Sequence, residues 1–522
     1  MPARRASTNH LTWLLCLACA MMALAGCSLP PLVDREAGYR LDDADVEATL
    51  IHQALQPLTA RHPGLSGIHP LADPLDAFAA RMLLAQTAQA SLDVQYYIWH
   101  RDTTGLMLLN ALEDAADRGV RVRLLLDDNG IRNLDQILSE LDNHPNMQVR
   151  LFNPFPMRRM KPLGFVTDFR RLNRRMHNKS FTADQRVTIV GGRNVGDEYF
   201  GATDSVLFSD LDVVAVGPIV DAMTDDFDRY WNSASAYPID QVVAPSSAQR
   251  AAALERATRE HLDPHSASQY LDHLENTAFI RGILSEELEV EWADTFIVSD
   301  NPAKVLGDVP EQDLLIGSLL SLGGEPEKTL DLVSPYFVPT QMGVDALASL
   351  TRRGVRVRVL TNALESTDVA AVHAGYSKYR KQLLEEGVEL WELRLIGAED
   401  AKRPAGLGPF GSSGSSLHAK TFAVDGHHVF VGSFNFDPRS ARLNTELGFV
   451  ISSQKLANDL ALAFDTAMPV RAYRVHVDEH GKLYWTTIEN GETVRYDREP
   501  GTGMIQRALV KFLTWLPIEG LL

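Results

Sequence analysis

Cysteine is almost missing from this chain: Cys16, Cys19 and Cys27 are the only three in 522 residues. The body of the protein therefore has no disulfide to staple it. Cations are also in deficit, with 50 Lys plus Arg against 68 Asp plus Glu and a formal charge of −18. That balance excludes a general nucleic-acid binder whose whole surface attracts phosphate. The longest apolar run, Leu11 to Ala25, is too short to span a bilayer comfortably. A nucleophile elbow, a Walker loop and zinc-ligand spacing are absent too; His476 and His480 stand four apart, but in turn-rich sequence. What is present is the composition of a packed globular protein, 45% hydrophobic and 23% charged, too long for one ordinary core.

The cysteines belong to the amino terminus. Arg4 and Arg5 precede an apolar stretch, Leu11 to Ala25, of the length of a signal-peptide core. It ends in Leu24-Ala25-Gly26-Cys27, which resembles a bacterial lipobox. The expectation is a lipoprotein signal peptide over 1–26 and a lipid anchor on Cys27. The protein would then sit in the bacterial cell envelope, facing the periplasm, with the choice of inner or outer membrane open.

The rest of the chain repeats itself. Residues 91–130 read as strand, helix, glycine cap and strand, and residues 329–362 give the same order. The hexapeptide Arg-Gly-Val-Arg-Val-Arg begins at both Arg118 and Arg353, a separation far beyond solenoid periods. The chain accordingly divides into a lead-in tether (27–72), a first repeat (73–240), a polar helical connection (241–325), a second repeat (326–470), and a β-hairpin segment with an amphipathic tail (471–522).

A second recurrence carries chemistry. His177-x-Lys179, Asp184, Gly191 and Asn194 recur at identical spacing as His418-x-Lys420, Asp425, Gly432 and Asn435. On an extended segment His and Lys at i and i+2 point to one side, so each copy delivers a nucleophile or proton carrier together with a cation. Two copies facing one another put a histidine on either side of a phosphorus, while Lys179, Lys420, Asn194 and Asn435 cradle its oxygens. Such a site supplies its own positive charge, so neither metal nor cofactor is expected. One imidazole attacks and the other moves the proton.

This doubled pattern resembles the HKD signature of the phospholipase D superfamily. The stretches 165–181, 191–200, 372–379 and 432–446 look like its cardiolipin synthase C branch. The resemblance implies a duplicated phospholipase D fold of class α/β: two α/β/α sandwich halves with mixed β-sheets, packed about a pseudo-twofold axis. It also implies phosphatidyl transfer to the hydroxyl of phosphatidylglycerol, with phosphatidylglycerol or phosphatidylethanolamine as donor; hydrolysis to phosphatidic acid is the alternative outcome. Phospholipids and the membrane surface are the expected partners, and nucleic acid is not.

By the same resemblance His177 is the nucleophile and His418 the general acid and base. Asp184 and Asp425 are expected to support the site through salt bridges. The acids that orient the imidazoles are expected one strand further on, Glu446 for His418 and Asp212 for His177, with Asp210 as alternate. Ser433 faces Gly192 in the other copy, so a hydroxyl is supplied on one side only.

Three peripheral features complete the expectations. Eight cations lie at 158, 159, 161, 170, 171, 174, 175 and 179, with Asp168 the one acid among them, a cluster suited to anionic head groups or to internal salt bridges. Met504 to Leu516 reads as an interfacial helix or as one packed on its own domain. The Gly- and Ser-rich stretch from Ala405 to Ser416 reads as a loop over the site or a plain linker.

Overall fold

The computed structural model describes residues 29–32, 35–202, 208–245, 277, 281–282, 288–307, 309–395 and 416–522. The expected signal peptide, Cys27, residues 246–276, 278–280 and 283–287 of the expected connection, and most of the Gly- and Ser-rich stretch from Ala405 to Ser416 lie outside the described residues.

Two large mixed sheets form the frame. The first uses β1 (Ser66–Leu71), β2 (Ser91–Ile98), β3 (Arg121–Gly130), β4 (Met147–Phe152), β5 (Ser180–Ala183) and β6 (Val187–Gly191). A short β7 (Phe208–Ser209) stands apart, and β8 (Asp212–Val216), β9 (Ala236–Pro238) and β10 (Glu291–Ala293) complete the sheet in the order β10-β1-β8-β6-β5-β2-β3-β4-β9. The second sheet begins with β11 (Thr295–Ser299), β12 (Thr329–Val333), β13 (Arg356–Asn362) and β14 (Glu389–Leu393). After a short β15 (Ser416–Leu417) come β16 (Thr421–Val424), β17 (His428–Gly432), β18 (Leu447–Ser452), β19 (Ala472–Val477), β20 (Leu483–Glu489) and β21 (Glu492–Tyr496). Its order is β11-β18-β17-β16-β12-β13-β14-β19-β20-β21.

The repeated strand–helix–strand units are β2, helix Thr103–Asp117, β3 and β12, helix Thr340–Arg352, β13, each a parallel pair. The repeated hexapeptide has a structural purpose. Arg123 sits opposite Asp93 in the register and pairs with it in both branches, at 2.6 and 2.8 Å; Arg358 does the same with Asp331, at 2.5 and 2.6 Å. Each guanidinium then reaches a helix on the inner face, Arg123 to Asp228 and Arg358 to Asp465, both at 2.7 Å. Buried charges persist only when paired, and a bidentate fork does so with fixed geometry.

Alternation along the strands sorts the core into layers. Val122, Leu124 and Leu126 face the outer helices of the first half, whereas Leu125 points to the opposite side. Helices Pro218–Trp231 and Gln454–Thr466 lie on that inner side, in one apolar cluster that also takes Val190 and Val213 from the first sheet and Val431 and Phe449 from the second. One core thus joins the halves.

The connection departs from expectation. It is not simply helical: β10 completes the first sheet and β11 opens the second, only Asp294 separating them, and a nine-residue helix, Leu315–Gly323, follows. Thr295–Ser299 pairs antiparallel with β18, a partner that tertiary context supplies.

Candidate active site

Each His-x-Lys segment is extended and leads into a central strand, His177 to Lys179 before β5 and His418 to Lys420 before β16. Beyond each strand the chain reverses through Asp184 (φ 48°) and Asp425 (φ 53°), the left-handed region that Asp tolerates better than most residues. Among the described residues these aspartates form none of the expected salt bridges. The Asp184 carboxylate accepts the amides of Gln89, Ala90 and Ser91 at 2.7–3.1 Å; Asp425 accepts those of Glu327, Lys328 and Thr329 at 2.7–3.2 Å. Three converging N–H dipoles satisfy the charge, and each aspartate ties its motif to the strand beside it.

The halves meet at the motifs. The His177 amide donates to the Thr445 carbonyl at 2.9 Å, and the His418 amide to that of Ser209 at 2.8 Å. Strand β15 pairs in parallel with β7, and Met176 forms a parallel bridge with Thr445, so each motif is threaded onto the segment of the other half that carries an acid. The expected acid partners are consequently exchanged. His177 Nδ1 lies 2.8 Å from Glu446 Oε2, and His418 Nδ1 lies 2.5 Å from Asp210 Oδ2.

Asp212 takes no part. Its carboxylate is held by Arg81 at 2.7 Å and by Arg193 at 3.5 Å, all three fully buried. The register shows why the alternate was the better choice: Gly191 faces Asp212 and Gly432 faces Gly448, so Asp210 and Glu446 occupy equivalent positions two residues earlier. The shared dipeptides Asp210-Leu211 and Glu446-Leu447 carry that signal in the sequence.

Two different devices hold the imidazoles. Ser433 Oγ donates to Glu446 Oε2 at 2.5 Å and accepts the Leu447 amide at 3.0 Å, bracing the carboxylate from the side. At the equivalent Gly192 a side chain would collide, because a Cβ there would stand 2.1 Å from Asp210 Oδ1. His177 Nδ1 also has the Ser433 carbonyl at 3.1 Å, whereas His418 Nδ1 has Lys420 Nζ at 2.8 Å. Aromatic edges pack on both rings, Tyr97 on His177 at 5.0 Å and Tyr199 on His418 at 5.3 Å between centroids. The two tyrosines were not legible as site residues, since buried aromatics are the ordinary stuff of a core.

The amides of the two motifs differ. Asn194 is spent on the scaffold, accepting the Ile98 amide at 3.2 Å and donating to the Tyr199 hydroxyl at 3.0 Å, which fixes the ring against His418. Asn435 keeps its Oδ1 buried without a partner among the described residues, as does Glu446 its Oε1.

Burial sets the electrostatics. It holds His177 down to about 4, with Glu446 opposing and Lys179 reinforcing, so this imidazole is neutral at pH 7. Burial brings Lys179 down to about 7, Lys420 adding to the effect, and Lys420 down to about 8 against the pull of Asp210 and Glu446. Burial alone would raise Asp210 and Glu446; Lys420 and His418 hold the first well below the usual carboxylate range, and His177 and Lys179 hold the second below it. Both acids are therefore ionised, the Nδ1 of each histidine carries the donated proton, and Nε2 is the atom left to react.

The basic cluster is largely consumed internally. Arg158 and Lys161 pair with Asp128, Arg171 with Asp168, and buried Arg175 with Asp127. Asp127 and Asp128 lie in the last part of β3, far from the cluster in sequence, which is why the linear count overstated its free charge.

Residues 83–231 and 321–468, together more than half the chain, match the family described as "Cardiolipin synthase, PLD-like domain". The chain is 48% identical to cardiolipin synthase C of Escherichia coli (strain K12) over 469 residues, 90% of this chain and 99% of that protein. It is 28% identical over 399 residues to a cardiolipin synthase of Listeria monocytogenes serotype 4a, covering 75% of this chain and 67% of that one. Among solved structures, phosphatidylserine synthase of Haemophilus influenzae shares the fold, with a TM-score of 0.55 at 16% identity, covering 90% of this chain and 100% of that one.

Proposed function

Because the chain belongs to the cardiolipin synthase family of phospholipase D-like proteins, we propose that it is a phosphatidyltransferase working through a phosphohistidine on His177. The observation that carries this reading is the pair of His–acid contacts crossing between the halves, which gives one composite site with two oriented imidazoles. His177 Nε2 attacks the phosphorus of the donor phospholipid, forming the N–P bond as the P–O bond to the head group breaks. Protonated His418 gives its proton to the departing alkoxide. The neutral His418 then takes the proton of the phosphatidylglycerol hydroxyl as that oxygen attacks phosphorus and the N–P bond breaks, returning His177. Lys179 and Lys420 hold the non-bridging oxygens, where charge rises in the transition state.

The donor is phosphatidylglycerol or phosphatidylethanolamine. Labelled phosphatidylglycerol, with and without phosphatidylethanolamine, should give labelled cardiolipin with the wild-type protein and none with His177→Ala or His418→Ala. Phosphatidic acid as the sole product would overturn the assignment in favour of a hydrolase. Cys27 is proposed as the lipid-anchored residue in the cell envelope; labelled palmitate incorporated by the wild type and also by Cys27→Ser would sink that.

A further inference from the structure

Two apolar stripes stand exposed near the second motif. In the segment holding helices Lys161–Thr167 and Phe169–Leu172, the side chains of Met160, Leu163, Val166 and Phe169 recur at helical spacing and face outward, Val166 being 82% exposed. Phe165 is the inward residue, stacked edge-on against Phe155 at 5.4 Å. The helix Met504–Leu513 also has two faces. Val510 and Leu513 pack against Leu364 and Ala374, while Ile505 (86% exposed), Leu509 and Phe512 remain outside and Trp515 (75%) follows them. Packing on its own domain thus accounts for only one side of this helix.

One residue ties the segments that follow the two stripes to the motif loop. Arg439, two positions after Asp437 in the motif loop, donates to the Asn173 carbonyl at 3.0 Å and to the Leu521 carbonyl at 2.6 Å. The segment after the first stripe and the carboxyl terminus therefore meet at Arg439, four residues from Asn435. Charge agrees with this placement. No acid lies between Pro500 and Ile518, where Arg507 and Lys511 stand, and Arg170 is exposed beside Phe169, all in a chain of net −18.

We propose that these two stripes form one docking surface for an anionic phospholipid bilayer, seating the site against the leaflet that holds its substrate. Apolar side chains at the acyl boundary with cations at head-group level are what such a surface requires. The proposal takes from the functional reading only that the substrate lies in a bilayer.

The test places an environment-sensitive fluorophore (NBD) on Val166→Cys, Ile505→Cys or, as control, exposed Glu140→Cys in the full chain, with Cys16, Cys19 and Cys27 replaced by serine. Vesicles contain phosphatidylglycerol, with and without acyl-chain doxyl quencher. The 166 and 505 labels should shift to the blue and be quenched severalfold, and the 140 label should not. Labels at 166 and 505 that stay as wet as 140 on vesicle-bound protein would overturn the proposal. So would a shift without vesicles, whether it follows protein concentration, meaning a second copy, or does not, meaning the chain's own remaining residues. Repeating the labels in His177→Ala separates the two readings: docking should persist there, and quenching in a wild type that transfers no phosphatidyl group would sink the function alone. The variant Leu163→Ser, Val166→Ser, Ile505→Ser, Phe512→Ser should bind these vesicles at least about 100-fold more weakly. It should keep its rate on short-chain phosphatidylglycerol monomers; equal losses on both substrates would mean a damaged fold, in which case the label pattern alone decides.

Discussion

The His177 and His418 halves of the site share a backbone plan and differ in how they hold their imidazoles. Around His177 the orienting acid is Glu446, braced by the Ser433 hydroxyl, and a backbone carbonyl also faces Nδ1. Around His418 the acid is the shorter Asp210, pressed against Gly192, and a lysine shares Nδ1. Duplication thus preserved the geometry of the crossing pairs while the details diverged. Burial and the Lys420 ammonium lower the pKa of His418 against the pull of Asp210, so both rings are shifted toward the neutral form and differ in what holds them.

The largest expected effect tests whether the halves are unequal at all. Removing either imidazole should lower the transfer rate by about 10⁶-fold, as loss of a nucleophile or its base does elsewhere. The variants should differ in the trapped species. With an activated aryl phosphodiester, whose leaving group needs no acid, His418→Ala should accumulate phosphoenzyme at His177 and His177→Ala should accumulate none. Phosphate mapped to His418 would reverse the assignment.

Next come the acids. Asp210→Asn should cost on the order of 10³-fold and Glu446→Gln on the order of 10²-fold, measured as kcat on vesicles. The inequality follows from the second partners of Nδ1: without a carboxylate, Lys420 can donate to His418 Nδ1 and fix the wrong tautomer, whereas the Ser433 carbonyl still accepts from His177. Equal losses would show that the second partners do not matter. The exchange at the neighbouring position is a smaller test of the same asymmetry. Gly192→Ser should cost about 50-fold in kcat, because its Cβ displaces the Asp210 carboxylate, and Ser433→Gly about fivefold, because it loses one brace of Glu446.

Much of this site could be read from the sequence, because chemistry had fixed both residue type and spacing: the two His-x-Lys pairs, the aspartates and the glycines stand where one repeat predicts the other. The orienting acids were only half legible. A carboxylate near each histidine followed from the chemistry, but which histidine it served depended on strands crossing between halves, and no local pattern records that. Asp212 looked suitable until Arg81, more than a hundred residues earlier, is seen to hold it. The basic cluster failed similarly, since its counter-ions lie in the last part of β3. The hairpins at the carboxyl end were legible from His480-Gly481 and Asn490-Gly491, but not their addition to the second sheet through β14 and β19.

The lysines offer a test of intermediate size. An anion bound in the site requires ammonium groups, and both lysines are charged below about pH 7, where Lys179 titrates, with Lys420 following at about 8. Tungstate, which stays a dianion throughout, should bind with constant affinity up to about pH 7 and then weaken by up to about tenfold per unit as Lys179 loses its proton. Lys179→Arg keeps its charge and should move the onset to about 8. An affinity flat to pH 9 would mean that neither amine is depressed.

The smallest difference lies in the turns that carry the motifs. Asp184 and Asp425 each receive three backbone amides, yet Asp184 is fully buried and Asp425 partly exposed. Removing a carboxylate that satisfies buried donors costs more where water cannot replace it, about 3 kcal/mol for Asp184→Ala against about 1 kcal/mol for Asp425→Ala, read from urea unfolding. Alanine also strains both sites, since φ is positive at each, so Asp184→Asn and Asp425→Asn are the cleaner pair: asparagine accepts that backbone, keeps one acceptor oxygen, and loses the charge and the second acceptor. The amides hold the folded Asp425 carboxyl below its usual value despite some burial, so its contribution is present above about pH 4 and fades as pH falls through the depressed value. The gap between wild type and Asp425→Asn should therefore close on acidification. A gap that widened would show that a positive neighbour, rather than the three amides, sets the stability of this turn.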